Sequence, residues 1–546
     1  MSSLSGPVGA QAVAVAQRYG VTAMFTLSGG HVFPLYDGAV KADPPLRLVD
    51  VRHEQTAVFA AEGLARLTRV PGLAAVTAGP GVTNSVSAVT SAWFNGAPVV
   101  VLGGRSPDYL WGKGALQEMD HVPLLAPVTK RAWTEHAADR VASSVNEALR
   151  LALTPHRGPV FCDFPLEAIY GEATVDFPDT ALPAPSPPDG QDVAAIAALL
   201  GQARRPVLVL GSDVWLGGAE ETARLCAEAL RLPVITNGQG RGILPRGHSL
   251  LVTRARSVAL AEADLVIVAG VPLDFRLRYG SFGPQDAPAK VVHVADSPGG
   301  IAAHCPLAAS ASGDLGAFFT ALADACGQRP AGDMEWLAQL RGTARAAVAA
   351  DTSLLETEAS PVHPMRIYGE LLRELDDDAV VIGDGGDFVS FAGRVIEPAF
   401  PGRWLDPGPY GCLGTGLGYA IGARLAHPSS QVVLLLGDGA AGLSLMDVDT
   451  LVRHNLPVVM IVGNNSAWGL EKAPMKAVYG YDVAADLRPQ TRYDEVVSAL
   501  GGAGEMVTSP AGIAPALKRA FNSDVPYLVN VITDVTAEYP RSTSGV

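Results

Sequence analysis

The amino-acid sequence predicts an α/β protein made of three doubly wound parallel-sheet domains. Three observations carry this. Short Val/Ile/Leu-rich runs alternate with longer helical patterns along the whole chain. The runs are continuously apolar, as expected of strands buried on both faces of a parallel sheet. A chain of 546 residues is also too long for one hydrophobic core, which implies about three domains.

Taken in order, the runs are Gly72–Thr77, Pro98–Gly103, Pro206–Leu210, Asp264–Val271, Lys290–Val294, Ala379–Ile382, Gln431–Leu436 and Pro457–Val462. Their alternation with helical stretches reads as βαβ units. Two stretches read as linkers. Asp176 to Gln191 carries five prolines at 178, 183, 185, 187 and 188 and has almost no periodicity. Asp351 to Pro364 is polar, with Pro361 and Pro364 ahead of a new helix. The expected domains are therefore 1–175, 192–330 and 365–546.

Composition narrows the function. Hydrophobic residues make up 48% and charged residues 17%, which fits a large buried core and excludes disorder. Forty basic against 55 acidic side chains give a net charge of −15, with no Lys/Arg run, so a nucleic-acid surface is not expected. The five cysteines form no CxxC pair, which argues against a disulfide framework or a zinc site. No signal peptide and no bilayer-length apolar stretch is read, so the expected setting is cytoplasmic, with no membrane partner.

The strongest chemical signal lies in the last block. The run Gln431–Leu436 enters Gly437-Asp438-Gly439, and Asn464-Asn465 closes the next apolar run, Pro457–Val462. Both elements then sit at the carboxyl ends of parallel strands, where open α/β sheets bind ligands. Magnesium takes hard oxygen ligands completed by diphosphate and water. Asp438 offers a carboxylate, Asn465 an amide oxygen and Ala467 a main-chain carbonyl. Gly437 and Gly439 admit a diphosphate close to the backbone, and the amides of Gly439 and Ala440 open a helix that can bind phosphate.

With that spacing, the sequence resembles the thiamine-diphosphate (ThDP) enzymes related to acetolactate synthase, benzaldehyde lyase and pyruvate decarboxylase. The resemblance implies an N-terminal pyrimidine-binding domain, a central domain and a C-terminal diphosphate-binding domain, with ThDP and Mg²⁺ as cofactors. Arg52-His53-Glu54-Gln55 resembles the family's glutamate element. It implies that Glu54 contacts N1′ of the aminopyrimidine and promotes ylid formation at the thiazolium. Ala78 to Asn84 resembles the Gly-Pro-Gly loop that packs against the cofactor. Asp406 to Gly414 resembles the loop that bends the cofactor, which implies Leu413 as the wedge between the rings and the Gly411 carbonyl as partner of the 4′-amino group. Gly383-Asp384-Gly385-Gly386-Asp387 resembles the first diphosphate loop, which implies contacts from Gly386 and Asp387. Because these elements are split between the first and last blocks, the resemblance also implies a homodimer or homotetramer.

Two elements face substrate choice. Leu27-Ser28-Gly29-Gly30-His31 is similar to the first active-site loop, and Gln117-Glu118 to a Gln element beside the reacting carbons. His31 and Gln117 are therefore expected to bond a substrate oxygen and help move its proton. Arg403 to Ile421 and Arg492 to Gly502 resemble 2-hydroxyacyl-CoA lyases and oxalyl-CoA decarboxylases. The expectation is cleavage of a 2-hydroxyacyl-CoA to an aldehyde or ketone plus formyl-CoA, or the reverse condensation. Acetolactate synthase is the alternative. Gln117, where the oxalyl-CoA branch has Tyr, disfavours that decarboxylation, and the end soon after Tyr539 to Ser542 speaks against a long C-terminal lid. The central domain leaves ADP, FAD or no nucleotide open: Leu273 to Arg276 and Asp296 follow strands, and Asp296 reads equally as a ribose ligand or a surface carboxylate. A cofactor-binding regulatory protein would lack Glu54, Asp438 or Asn465. A Rossmann dehydrogenase would show Gly-x-Gly-x-x-Gly after the first strand, which the N-terminal region lacks.

Overall fold

The computed structural model describes residues 3–327, 334–537 and 539. Pro540 to Ser542, part of the C-terminal sequence noted above, lie outside the described residues. The described residues form three parallel sheets and a short antiparallel pair, Ser3–Pro7 with Glu172–Asp176.

The first sheet has six strands in the spatial order Arg47–Asp50, Ala23–Thr26, Gly72–Val76, Val99–Arg105, Val160–Pro165, Ala132–Thr134. The last sheet runs Trp404–Leu405, Val380–Asp384, Val432–Gly437, Val459–Asn464, Tyr527–Ile532, Ala503–Val507. In chain order both read 2-1-3-4-6-5, so the two outer sheets share one topology. The middle sheet has five strands, Val234–Thr236, Pro206–Leu210, Leu265–Ala269, Lys290–Ala295, Ala309–Ser312. All eight apolar runs read from the sequence are strands in these sheets. The central strands are buried along their length, as continuous apolar runs require.

The polar stretch 351–364 departs from expectation at its start. The helix Met334–Leu355 continues through Asp351 and buries it. Arg254 and Arg394 both bond that carboxylate, which compensates the cost of taking its charge out of water.

The first and last sheets share one hydrophobic cluster. It forms where the helix Glu54–Thr68 lies on the helix Gly416–Ala426. The two backbones approach closely because a methyl group on Gly418 would lie 2.5 Å from Phe59 Cβ, and only glycine fits. At the edge of this contact, fully buried Glu62 accepts from Tyr419 Oη and Asn95 Nδ2, each at 2.8 Å. Arg66 lies 3.4 Å from Glu62 and reaches Gln239 of the middle sheet region and the Asp406 carbonyl. One buried ion pair thus ties all three sheet regions together, and removing either partner would strand a buried charge.

Candidate functional site

Each outer sheet has one topological switch point, where consecutive strands diverge and leave a crevice at their carboxyl ends. In the last sheet it lies between Val380–Asp384 and Val432–Gly437. A cavity of about 810 Å³ opens there. Its lining includes Gly385 to Asp387, Gly437 to Ala440, Asn465 and Ala467, and Gly411 and Leu413. Of the residues expected to hold cofactor or metal, all of those in the last block line this one cavity.

Local packing explains the shape. A methyl group on Gly385 would lie 2.9 Å from the Gly437 nitrogen, so the two strand ends meet backbone to backbone and leave a cradle. Asp438 is nearly buried; its Oδ2 accepts the Ser466 N–H at 2.7 Å and its Oδ1 the Gly439 N–H at 3.1 Å. Burial pushes its carboxyl up to about 6, against the pull of these amides. The Asn465 side-chain oxygen accepts the Ala467 N–H at 3.1 Å. Asp438 and Asn465 both line the cavity with side chains that carry hard oxygens, residue types that suit a magnesium-like cation.

Asp384 has a role that the sequence did not reveal. It is fully buried at the end of its strand and accepts from Gly414 N at 3.2 Å and Gly416 N at 2.8 Å. These amides flank the turn that follows Leu413, so Asp384 fixes the Leu413 loop. Burial pushes the Asp384 carboxyl up to about 6. Cys412 beside it is no thiolate, because burial pushes its thiol up to about 11.

The opposite wall comes from the middle sheet region. Arg241, Arg254, Arg256 and Arg276 line it, with Phe275. Arg276 is paired with Asp274 at 2.6 Å and Arg254 with Asp351. Among the described residues, Arg256 donates only to a carbonyl, that of Arg276, at 2.6 Å. Burial, then the nearby Arg241, Arg276 and Arg278, lowers its guanidinium to about 10. Asp296 is not on this wall. It faces the first sheet region and accepts from His156 Nδ1 at 3.1 Å, so its carboxylate is already engaged.

The first sheet carries the other half. At its switch point, between Ala23–Thr26 and Gly72–Val76, His31 and Thr77 meet, with Nδ1 and Oγ1 3.0 Å apart. Thr77 Oγ1 donates to Gln117 Oε1 across a long 3.4 Å. That direction leaves Thr77 to accept from His31 Nδ1–H, so His31 Nε2 is the ring's acceptor. Burial holds the His31 imidazole below its usual value, so it is neutral near pH 7. Glu54 opens its helix, is nearly buried, and accepts from Asn84 Nδ2 at 3.0 Å. Among the described residues, none of 1–175, Glu54, His31 and Gln117 included, lines the cavity that holds Asp438.

Three family models match the chain. The thiamine pyrophosphate enzyme N-terminal TPP binding domain covers residues 7–124, the central domain 193–322 and the C-terminal TPP binding domain 384–531. The chain is 49% identical, over 96% of its length and 95% of the relative's, to the "Acetolactate synthase large subunit IlvG" of Mycobacterium tuberculosis. The chain belongs to the thiamine pyrophosphate enzymes. It is also 34% identical to "2-hydroxyacyl-CoA lyase 2" of Caenorhabditis elegans, over 90% of this chain and 83% of that one, and 33% identical to the human protein of that name over 92% and 85%. These identities reverse the order in which the sequence motifs ranked the two substrate readings.

As a thiamine pyrophosphate enzyme, the chain fits its cofactor in two places. The cradle between Gly385 and Gly437, with the Asp438 and Asn465 oxygens beside it, suits a cation-bound diphosphate. The buried Glu54 carboxylate, half occupied by Asn84, suits a ring nitrogen.

Proposed function

We propose that this chain is a carbon–carbon bond-forming enzyme of the acetolactate synthase type, which decarboxylates a 2-oxoacid and joins the remaining acyl unit to a second carbonyl. The observation that carries the reading is the 49% identity to the mycobacterial acetolactate synthase along nearly the whole chain. Asp438, Asn465 and the Ala467 carbonyl would hold Mg²⁺, and Gly386, Asp387, Gly437, Gly439 and Ala440 the diphosphate. Leu413 and Gly411 would shape the cofactor's bend. Bound there, ThDP supplies the electron sink for the bond that breaks or forms beside the carbonyl.

The chain's own residues do the rest. Asn84 occupies Glu54 Oε2, which leaves Oε1 to share a proton with the aminopyrimidine N1′. Neutral His31 and Gln117 hold the substrate oxygen and move its proton. The half-sites belong to different subunits of a homodimer or larger homo-oligomer. This is supported by the absence, among the described residues, of any residue of 1–175 from the Asp438 cavity and by exposed apolar side chains close in sequence to both halves, Tyr109 and Leu116 to Gln117, Leu443 and Met446 to Asp438.

One observation keeps a second reading, the 2-hydroxyacyl-CoA lyase. Arg256, crowded by three other arginines and, among the described residues, without a bonded carboxylate, suits the phosphates of a CoA or of a bound ADP or FAD. The test gives pyruvate alone, or a 2-hydroxyacyl-CoA alone, to the ThDP–Mg²⁺ enzyme and identifies products by mass spectrometry. Acetolactate from pyruvate is the expected result. Formyl-CoA from the thioester with no acetolactate would replace the first reading by the second.

A further inference from the structure

Gln117 stands in a conformation that its own residue type does not favour. Its φ is +61°, in the left-handed region, and it is not a glycine. Such a residue persists only where the surroundings fix it, and those surroundings can be named. Gly79 packs against it so tightly that a methyl group there would lie 2.9 Å from Gln117 Cβ and 3.0 Å from its carbonyl oxygen. Gly79 itself has φ +58° and ψ −111°, which suits only glycine. One stretch earlier, Ser106 Oγ donates to the Leu116 carbonyl at 2.9 Å.

What holds Gly79 in place is His121. The Gly79 N–H donates to His121 Nε2 at 2.9 Å, and His121 Nδ1 lies 2.8 Å from Asp163 Oδ2. Both side chains are fully buried. The two partners demand the same tautomer: an acceptor at Nε2 and a proton on Nδ1 that the carboxylate receives. Phe161 meets the ring edge-on, with centroids 6.3 Å apart. Arg105, stacked on Trp111, balances the Asp163 charge from 3.9 Å without a hydrogen bond. The result is a chain from the end of strand Val160–Pro165, through His121 and Gly79, to the Gln117 backbone and its carboxamide beside Thr77 and His31.

We infer that His121 and Asp163 are positioning residues, a buried pair that aims Gln117 at the substrate through the Gly79 backbone. The inference rests on the reading of Gln117 as a substrate-facing group. Neither side chain lines the cavity of the diphosphate half.

A double-mutant cycle tests this in the full-length ThDP–Mg²⁺ enzyme, with turnover of pyruvate, or of a 2-hydroxyacyl-CoA if that is what the wild type consumes. His121→Asn keeps a donor for Asp163 but cannot reach the Gly79 N–H. It is expected to lower kcat roughly tenfold, a larger factor than any loss of calorimetric ThDP–Mg²⁺ affinity. In the Gln117→Ala background the same substitution is expected to cost nothing further, because the effect travels through Gln117. His121→Gln, whose amide oxygen can accept the Gly79 N–H, is expected to recover most of the loss. If His121→Asn is insoluble, Asp163→Asn enters the cycle in its place, with a smaller loss and the same non-additivity. An equal loss in both backgrounds overturns the inference and leaves the Gln117 reading standing. Full activity of Gln117→Ala alone overturns that reading, and the inference with it.

Discussion

Asn84 donates its side-chain amide to Glu54 across 3.0 Å, from the helix that follows the Gly-Pro-Gly loop. The bond fixes one carboxylate oxygen and leaves the other available. Glu54→Gln is therefore expected to bind ThDP normally but to lose activity by about 10²-fold or more, since an amide cannot share the proton. Asn84→Ala frees the carboxylate to rotate and is expected to cost about tenfold. Exchange of the thiazolium C2 hydrogen into deuterated water, followed by NMR, checks both. An exchange rate in Glu54→Gln equal to that of the wild type would remove Glu54 from the chemistry.

Asp384 holds two buried amides around the turn after Leu413. Asp384→Ala leaves both unsatisfied, at about 1–3 kcal/mol each. The expected outcome is a lower melting temperature together with a cofactor affinity weakened by roughly tenfold, because the Leu413 loop loses its anchor. Calorimetry that finds unaltered ThDP–Mg²⁺ binding in a folded variant would show that the loop is held by other contacts.

His156 bridges the first and middle sheet regions, facing Asp296 at 3.1 Å and Asp213 at 3.8 Å, with Lys130 and Arg157 nearby. Asp213 first, against burial, raises its imidazole to about 9. The sign follows from the raised value: the stabilisation is complete below the unfolded value, about 6.5, and is lost as pH rises through about 9. His156→Gln is expected to melt roughly 1–3 °C below the wild type near pH 7, with the gap closing above about pH 9.5. A gap that is constant with pH would mean that packing, not charge, is what His156 contributes.

The parts that were legible in the sequence share one property: their signal is local. Asp438 and Asn465 stand at the ends of apolar runs, and runs of that kind became strands of a parallel sheet with those ends at the switch point. The arginine wall was not legible, because Arg241, Arg254, Arg256 and Arg276 are spread through a region with no basic run and meet only in the fold. Asp351 was misleading in the same way. Its neighbourhood reads as a polar linker, yet two arginines from elsewhere in the chain bury it in a helix. His121 offers no local signal either, since its partners Gly79 and Asp163 lie about 42 residues away on each side. Asp296 read equally as a ribose ligand or a surface group; it is buried, and the opposing His156, invisible to local pattern, engages its carboxylate.

The proposed division of the site between Glu54 of one subunit and Asp438 of another makes a last prediction that needs no substrate identification beyond a working assay. Glu54→Gln and Asp438→Ala are each expected to be inactive, the first for want of a proton, the second for want of a cation ligand. If the site is built from the first block of one subunit and the last block of another, a mixed dimer has one site with both defects and one with neither. Equal amounts of the two variants, unfolded and refolded together or exchanged by dilution, form about half mixed dimers, so about a quarter of the wild-type activity is expected to return. Activity should rise with protein concentration in parallel with dimer formation followed by sedimentation. Sites completed within a single chain would restore nothing on mixing, because every chain would still carry its own defect, and that result would refute the shared-site proposal.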